Sequence, residues 1–358
     1  PDGSFIAYAY DAMGNRTELT TSAGTVFYTY DALNRLESVT DLNGGIAVYS
    51  YDSVGNRASV SYPNGSRTNY IYDSLNRLIN LENLRSGGSI ISSYAYTLGA
   101  AGNRTRIIED AGRTVDYTYD ALYRLVSEQI TDLINGNSRV DYTYDAVGNR
   151  LTKVVDSLAT LGYSYDANDR LLSEGATTYS YDDNGNALSK DDGSLTIYSY
   201  DVENRLVEVQ TTTRILNYEY AADGIRKSTS VDGIVTKHLV DKNRDYAQVI
   251  EERDATDILQ VAYTYGDDLV SQERGGNTSY YHYDGQGSTR ALTDSSETIT
   301  DSYTYEAFGS LVQSTGTTQN SYLYTGEQFD PNTGFYYLRA RYMDPANGRF
   351  ITSDPFQG

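Results

Sequence analysis

The chain of 358 residues has no cysteine and no tryptophan, and only five prolines, two methionines and two histidines. Without cysteine it can form no disulfide, thiolate metal site or cysteine nucleophile. No apolar run reaches the roughly 18 residues of a membrane-spanning helix, and no stretch reads as a secretory leader. Basic residues are scarce: 28 against 49 acidic ones, a formal net charge of −21. A nucleic-acid binder needs a basic stripe that displaces counterions, and none is present. Anionic membrane surfaces are disfavoured for the same reason, so neither nucleic acid nor membrane insertion is expected. Such acidity suits a solvated surface. Helical periodicity is nearly absent as well.

What is abundant is tyrosine, 37 residues, and it is regularly placed. Tyr-x-Tyr pairs begin at Tyr8, Tyr28, Tyr49, Tyr70, Tyr94, Tyr117, Tyr142, Tyr163, Tyr179, Tyr198 and Tyr218, then at Tyr263, Tyr281, Tyr303 and Tyr322. Tyr at i and i+2 turns both rings to one face of a strand, and Tyr favours strands. Asp follows most pairs, in two versions. One reads Asp-x-x-Gly-Asn-Arg, as from Asp11 to Arg16, Asp52 to Arg57 and Asp145 to Arg150. The other, Asp-x-Leu-Asn-Arg-Leu, from Asp31 to Leu36 and Asp73 to Leu78, reads as one residue shorter. Asp suits the first position of a type I turn and Gly the fourth, and Gly or Asn in the left-handed region closes a hairpin through a bulge. A second turn signal follows each return strand, as at Asn43-Gly44 and Asn64-Gly65.

Each unit of about 21 residues is therefore two short strands and two turns. A pair of buried rings cannot offset the entropy of ordering such a unit alone, so units must share strand edges and one aromatic face. The expected fold is all-β: tandem hairpins in one long antiparallel sheet, coiled by its own twist into a spiral strip or shell wall. A propeller, with two units per blade, competes because the two turn versions partly alternate. Units over residues 221–262 are degenerate. The expected division is a repeat strip over 1–262 and a distinct block over 263–358.

The motif resembles the YD repeat of the Rhs family, in Tyr-Thr-Tyr-Asp-Ala-Leu-Asn-Arg-Leu at 28–36 and Tyr-Thr-Tyr-Asp-Ala-Val-Gly-Asn-Arg-Leu at 142–151. The block at 280–310 and the stretch Gly-Phe-Tyr-Tyr-Leu-Arg-Ala-Arg-Tyr-Met-Asp-Pro-Ala-Asn-Gly-Arg-Phe-Ile-Thr-Ser-Asp-Pro at 334–355 resemble the Rhs-associated core. The resemblance implies a β-strip wound into a hollow shell, as in the C components of Tc toxins and in teneurins. It also implies a core end that closes the shell, a variable C-terminal domain, often a toxin, and an aspartate-dependent self-cleavage that frees it. The chain ends at Asp354-Pro355-Phe356-Gln357-Gly358. The family's Asn-Pro stretch and second Asp-Pro-x-Gly are not in it. With an opening Pro1-Asp2-Gly3 that reads as a turn in progress, this points to a piece of a longer polypeptide. Its expected partners are the rest of that polypeptide, with glycans or a cell-surface ligand as an alternative. The expected location is secreted or at a bacterial surface.

Candidate residues divide into two groups. Tyr8, Tyr10, Asp11, Gly14, Asn15, Arg16, Tyr28, Tyr30, Asp31, Asn34, Arg35, Tyr142, Tyr144, Asp145, Gly148, Asn149 and Arg150 are read as the repeat's structural set. Arg is expected to pair with Asp or Tyr of an adjacent unit, and Asp to cap turns in preference to binding calcium, since the spacing fits no calcium loop. The second group breaks the rhythm: Arg339, Arg341, Asp344, Pro345, Gly348, Arg349, Asp354 and Pro355, expected to hold a core plug or to support self-cleavage. His282, Asp284 and Ser288 could be written as a triad, but no nucleophile elbow surrounds Ser288. No cofactor or metal is expected. The expected role is a shell segment that encloses or presents an effector. An adhesion or sugar-binding module and a self-cleaving core are the alternatives.

Overall fold

The computed structural model describes residues 5–354. Thirty strands form one antiparallel sheet, four short strands a second, and the only helical element among the described residues is a 3-10 turn at Tyr324–Gly326. The pairing is between chain neighbours. Gly24–Tyr30, for example, pairs with Leu36–Thr40, which pairs with Ile46–Tyr51. This is the expected hairpin meander, with no grouping into propeller blades. The degenerate stretch keeps the pattern: Ile234–Asp241 pairs with Gln248–Asp254, and Gln248–Asp254 with Leu259–Tyr265.

Two compact units divide the chain. The first holds the described residues up to Ser93, with Tyr220–Thr229 and Ile234–Phe329. The second holds Tyr94–Glu219, Ser230–Gly233 and the described residues from Asp330. In the first, Leu19, Val39, Tyr49, Val60, Leu81, Tyr263, Tyr281 and Leu292 are buried; in the second, Val115, Tyr142, Leu171, Tyr198, Leu206 and Leu216. These are the inward-facing alternate positions of their strands. The first Tyr of a pair is the deeper: Tyr28, Tyr142 and Tyr198 are buried, whereas Tyr30, Tyr144 and Tyr200 are half-buried.

The second Tyr has a separate task. The register shifts immediately before it, between Ala9 and Tyr10, Thr29 and Tyr30, Ser50 and Tyr51, and Thr143 and Tyr144. A bulge re-aims the side chain that follows it. The hydroxyl then donates to a backbone carbonyl of the preceding unit: Tyr30 to Arg16 O at 3.1 Å, Tyr51 to Leu36 O at 2.8 Å, Tyr72 to Arg57 O at 3.1 Å and Tyr165 to Arg150 O at 2.8 Å.

The two turn versions have the same length, contrary to the reading of one as shorter. Asp11 N–H donates to Asn15 O and Gly14 N–H to Asp11 O; Asp31 N–H donates to Arg35 O and Asn34 N–H to Asp31 O. Gly14 and Asn34 therefore occupy one position, with φ of +89° and +59°, the left-handed region that Gly and Asn tolerate. The next residue reaches back to the free oxygen of the capping Asp in both. Asn15 Nδ2 lies 2.9 Å from Asp11 Oδ2, and Arg35 Nε 2.8 Å from Asp31 Oδ2. What differs is where Arg sits. In the Asn-Arg version it closes the turn, and Leu36 or Leu206 fills the inward position that follows. In the Gly-Asn version Arg16 or Arg150 takes that inward position and is buried.

This explains the alternation. Asn15 of a Gly-Asn turn also donates to Asn34 of the next, Asn-Arg turn at 3.0 Å; Asn56 does the same to Asn76 at 3.1 Å, and Asn186 to Asn204 at 2.8 Å. In return, Arg124 and Arg170, in turns of the same form with Tyr123 and Asp169 in the Asn place, donate to the carbonyls of Asp145 and Asp182 in the Gly-Asn turns that follow, at 2.7 and 3.0 Å. The structural module is thus a pair of unlike turns.

Candidate functional site: the segment that breaks the repeat

In the second unit the chain beyond Asp330 leaves the meander and forms three short strands. Phe335–Tyr337 pairs with Tyr342–Asp344, and Tyr342–Asp344 with Arg349–Phe350. Their aromatic positions meet rings of the repeat: Phe335 lies 6.0 Å from Tyr198 and Tyr342 5.3 Å from Tyr218, centroid to centroid. Tyr218 OH donates to Asp330 Oδ2 at 2.9 Å, and Ala187 N–H to Ile351 O at 2.9 Å. Rings, a side-chain bond and a backbone bond thus seat the segment on the repeat strands.

Asp344 and Arg349 sit where the last hairpin turns. Asp344 is buried. Its Oδ1 accepts from Ala346 N–H at 2.9 Å, and Oδ2 from Asn347 Nδ2 at 3.2 Å. Lys190 Nζ lies 3.9 Å from Oδ2. Burial pushes this carboxyl above its ordinary range, against the opposing pull of Lys190 and of the Ala346 N–H. Displaced carboxyls of this kind mark functional and structural sites alike. Pro345 is buried inside the turn and Gly348 closes it at φ +68°, its N–H donating to Asp344 O at 2.8 Å. Arg349 extends over the Tyr165 ring at 5.1 Å and donates to Asp169 O at 2.7 Å and Asn149 Oδ1 at 3.4 Å. Arg341 lies over Phe350 at 3.7 Å and pairs with Asp354 at 3.0 Å. Arg339 takes φ +62° in the connection before it. Pro355 lies outside the described residues. The structure thus gathers Asp344, Pro345, Gly348 and Arg349 at one turn and Arg341 with Asp354 beside it. Lys190, Asn347 and Tyr198 complete the surroundings. The motif gave no sign of Lys190 or Tyr198, because their contacts join distant parts of the sequence; Asn347 belongs to the same turn as Asp344.

The repeat set is placed consistently. Guanidinium groups lie over the rings: Arg16 over Tyr28 at 4.8 Å, Arg35 over Tyr51 at 4.3 Å, Arg57 over Tyr70 at 4.6 Å and Arg150 over Tyr142 at 4.7 Å. Each such contact is worth about 0.5–2 kcal/mol. Arg35 therefore meets a Tyr of the next unit while pairing with its own Asp31. In the first unit Arg16 pairs with Asp241, fully buried, which also accepts from Tyr8 OH at 2.7 Å. Burial alone would raise the Asp241 carboxyl; the bonds from Tyr8 and Asn243 and the charge of Arg16 bring it below the ordinary value.

The three residues that could be written as a triad are otherwise engaged. His282 is fully buried, with Nε2 2.9 Å from Thr293 Oγ1. Asp284 Oδ1 caps its turn, accepting from Gln286 and Ser288 N–H at 2.9 and 3.1 Å. Ser288 Oγ accepts from Thr325 N–H at 3.0 Å. Among the described residues no group of three or more His, Asp or Glu is placed to hold a metal ion, and no helix is long and apolar enough to cross a membrane.

A family profile described as Teneurin YD-shell matches residues 100–357, and one described as RHS Repeat matches residues 51–88. The first spans well over half of the sequence. This chain belongs to the teneurin YD-shell family. Among curated relatives, the tRNA3(Ser)-specific nuclease WapA of Bacillus spizizenii is 37% identical over 187 residues, half of this chain and 8% of that protein. The tRNA nuclease WapA of Bacillus subtilis is 35% identical over the same length and shares. Among solved structures, the TcdB2-TccC3-Cdc42 and TcdB2-TccC3 crystal structures superpose with TM-scores of 0.81 and 0.80 at 19% identity. They cover 98% of this YD-shell chain and 20% and 21% of theirs. The YD-shell chain thus spans a small part of the length of each, and the likeness to the solved structures is one of fold.

Proposed function

We propose that this YD-shell segment is a structural wall that encloses or presents an effector domain lying outside the chain. The observation that carries this reading is the seating of residues 335–351 on the repeat strands, through Phe335, Tyr342, Arg349 and the Ile351 carbonyl. A repeat sheet becomes a wall through its hairpins and a closed end through such a segment. Residues 1–262 act as the strip and 263–358 as the closing core. Asp344 and Arg349 act by holding the segment in place, since both oxygens of Asp344 are engaged by its own turn. The chain carries no catalytic activity in this reading, its partners are the remaining parts of its own polypeptide, and it works outside the bacterial cell or at its surface. The nuclease names of the WapA relatives fit an effector carried on a YD-repeat scaffold.

Limited proteolysis of the full-length gene product tests this. Sequence following residue 358 is expected to resist protease while the YD-repeat region is native. It becomes sensitive when Phe335→Ala and Arg349→Ala loosen the closing segment. Equal sensitivity in the native and doubly substituted proteins would exclude enclosure. Incubation of the same product reads the second possibility. Self-cleavage that stops on Asp344→Asn, while the fold and protease resistance persist, would give the displaced Asp344 carboxyl a catalytic role in place of a holding one.

A further inference from the structure

The turns that follow the Tyr pairs share their hydrogen bonds but differ in the side chain they expose. The residue two places after the capping Asp donates its N–H to that Asp: Met13 to Asp11, Leu33 to Asp31, Val54 to Asp52 and Leu75 to Asp73, at 2.9, 2.8, 3.0 and 2.9 Å. Asn168 and Glu203 of the second unit make the same bond to Asp166 and Asp201, and Gln286 of the first makes it to Asp284, each at 2.9 Å. The turn therefore accepts a polar residue at this place. Four turns of the first unit nevertheless carry Met13, Leu33, Val54 and Leu75 there, with exposures of 71%, 71%, 69% and 69%. In the second unit Leu122 and Val147 share the trait, and Asn168, Asn184 and Glu203 do not.

The four turns stand side by side. Asn15 Nδ2 donates to Asn34 Oδ1 at 3.0 Å and Asn56 Nδ2 to Asn76 Oδ1 at 3.1 Å, and Arg35 covers the ring of Tyr51 just ahead of the third turn. Successive turns are two strand spacings apart, about 10 Å, so the apolar tips form a ridge about 30 Å long. Apolar exposure gathered in this way marks an interaction surface, where single scattered residues would not.

Backbone and charge select the occupant. Asp11 N–H donates to Asn15 O and Gly14 N–H to Asp11 O, and the other three turns repeat these bonds. The turns offer a partner strand no edge to pair with, so the occupant brings side chains alone. A helix does so, because its backbone bonds are internal, and residues seven apart along it are separated by about 10.5 Å, close to the spacing of the tips. Asp31 and Asp73 pair with Arg35 and Arg77 at 2.6 Å. Asp11 and Asp52 are held instead by the neutral amides of Asn15 and Asn56 at 2.9 Å. The Arg that follows each, Arg16 or Arg57, is committed to Asp241 or Asp268. Carboxylates that their own turn leaves uncompensated thus recur at every second tip. A second copy of the chain, with net charge −21, would be repelled there, whereas a cationic partner is complementary. We infer that this turn edge is a docking surface for a cationic amphipathic helix, with its apolar residues on Met13, Leu33, Val54 and Leu75 and its Lys or Arg residues on Asp11 and Asp52. The inference does not rest on the enclosing role.

Fluorescence anisotropy of a labelled peptide titrated with the full chain tests it. The probe is a helix of Leu and Lys, about 24 residues long to cover the ridge, with Leu at the first and fourth places of each heptad. It is expected to bind with a Kd below about 100 μM in about 50 mM salt and more weakly in about 500 mM, where the charges are screened. Leu33→Ser with Val54→Ser is expected to weaken binding at least about tenfold at an unchanged melting temperature, since the turn accepts polar residues. Val202→Ser, which removes a fully exposed apolar side chain from a turn of the second unit, leaves binding unchanged. Asp11→Asn with Asp52→Asn keeps a capping oxygen and is expected to flatten the salt dependence. Equal binding of a peptide of the same composition with Leu out of register, or indifference to the paired Ser substitutions, would reduce the effect to charge alone and overturn the site. A salt dependence that survives the paired Asn substitutions overturns the role of Asp11 and Asp52. Binding of the chain to phosphatidylcholine vesicles, or dimerisation in sedimentation, that the paired Ser substitutions abolish would give the ridge to lipid or to a second copy and overturn the helical partner.

Discussion

At the scale of single residues, the repeat rests on arginine as much as on tyrosine. Arg16 is buried against Tyr28 and paired with the buried Asp241. Removing one partner of a buried pair leaves the other uncompensated, at about 3–5 kcal/mol. Arg16→Met is therefore expected to lower the unfolding free energy by that amount in urea titration, and Asp241→Asn in the same background to recover much of it. A loss below about 1 kcal/mol would mean that Asp241 is sustained by Tyr8, Asn243 and Arg244 without Arg16. The second Tyr of each pair supplies a smaller, separable quantity. Tyr51→Phe deletes only the bond to Leu36 O and should cost about 1 kcal/mol. Substituting the equivalent hydroxyl at Tyr165 should add to it, because the two sites lie in different units and share no partner.

At the scale of the element, the turn decides more than the strand. Gly14 and Asn34 hold the same left-handed position, and the residue after each returns a side chain to the capping Asp. Those hydrogen bonds, from Arg35 to Asp31 and from Asn15 to Asp11, hold the exposed capping carboxyls below their ordinary range. Asn34→Val places a β-branched residue at positive φ and also removes the acceptor of Asn15. A destabilisation of about 1–2 kcal/mol is expected, against a few tenths for Asn34→Gly, which keeps the backbone at ease but loses the Asn15 link. Equal melting temperatures for the two variants would show that neither the left-handed backbone nor the link between turns matters. The alternation of turns was visible in the sequence. Its cause was not, since the Asn15–Asn34 and Arg124–Asp145 contacts join residues about 20 positions apart.

At the scale of the whole molecule, acid is the expected stress. Burial lowers the pKa of both histidines to about 3 in the folded chain, with nearby Arg85 adding to the effect on His282 and Arg226 to that on His238. Unfolded histidine titrates near 6.5. The unfolded chain therefore takes up protons that the folded one refuses, so stability is full above about pH 6.5 and falls progressively toward pH 3. For His282 the loss by pH 5 is about 2 kcal/mol. Unfolding measured at pH 7 and pH 5 should show it, and His282→Gln should flatten the dependence. A pH-independent stability over that window would contradict a neutral buried His282. Asp344 works in the opposite sense. Its raised pKa means that its charge is a liability at neutral pH and is relieved as pH falls. Asp344→Asn should accordingly be neutral or slightly stabilising at pH 7, with its advantage shrinking in acid.

The sequence by itself determined the all-β class, the hairpin unit and the turn-capping role of the Asp that follows the Tyr pairs. These are local consequences of period-two alternation and turn chemistry, repeated until chance is excluded. It also singled out residues 334–355 as the stretch where the rhythm stops. Only the tertiary structure decided the rest. It showed that the two turn versions are equal in length, that the second Tyr ties one unit to the one before, and that guanidinium groups cover the rings. It also placed Asp344 against Lys190 and Arg349 against Asp169. The contacts that tie neighbouring units together and seat the closing segment join residues from about 15 to more than 200 positions apart. Their free energy depends on burial and on partners, neither of which a local pattern encodes.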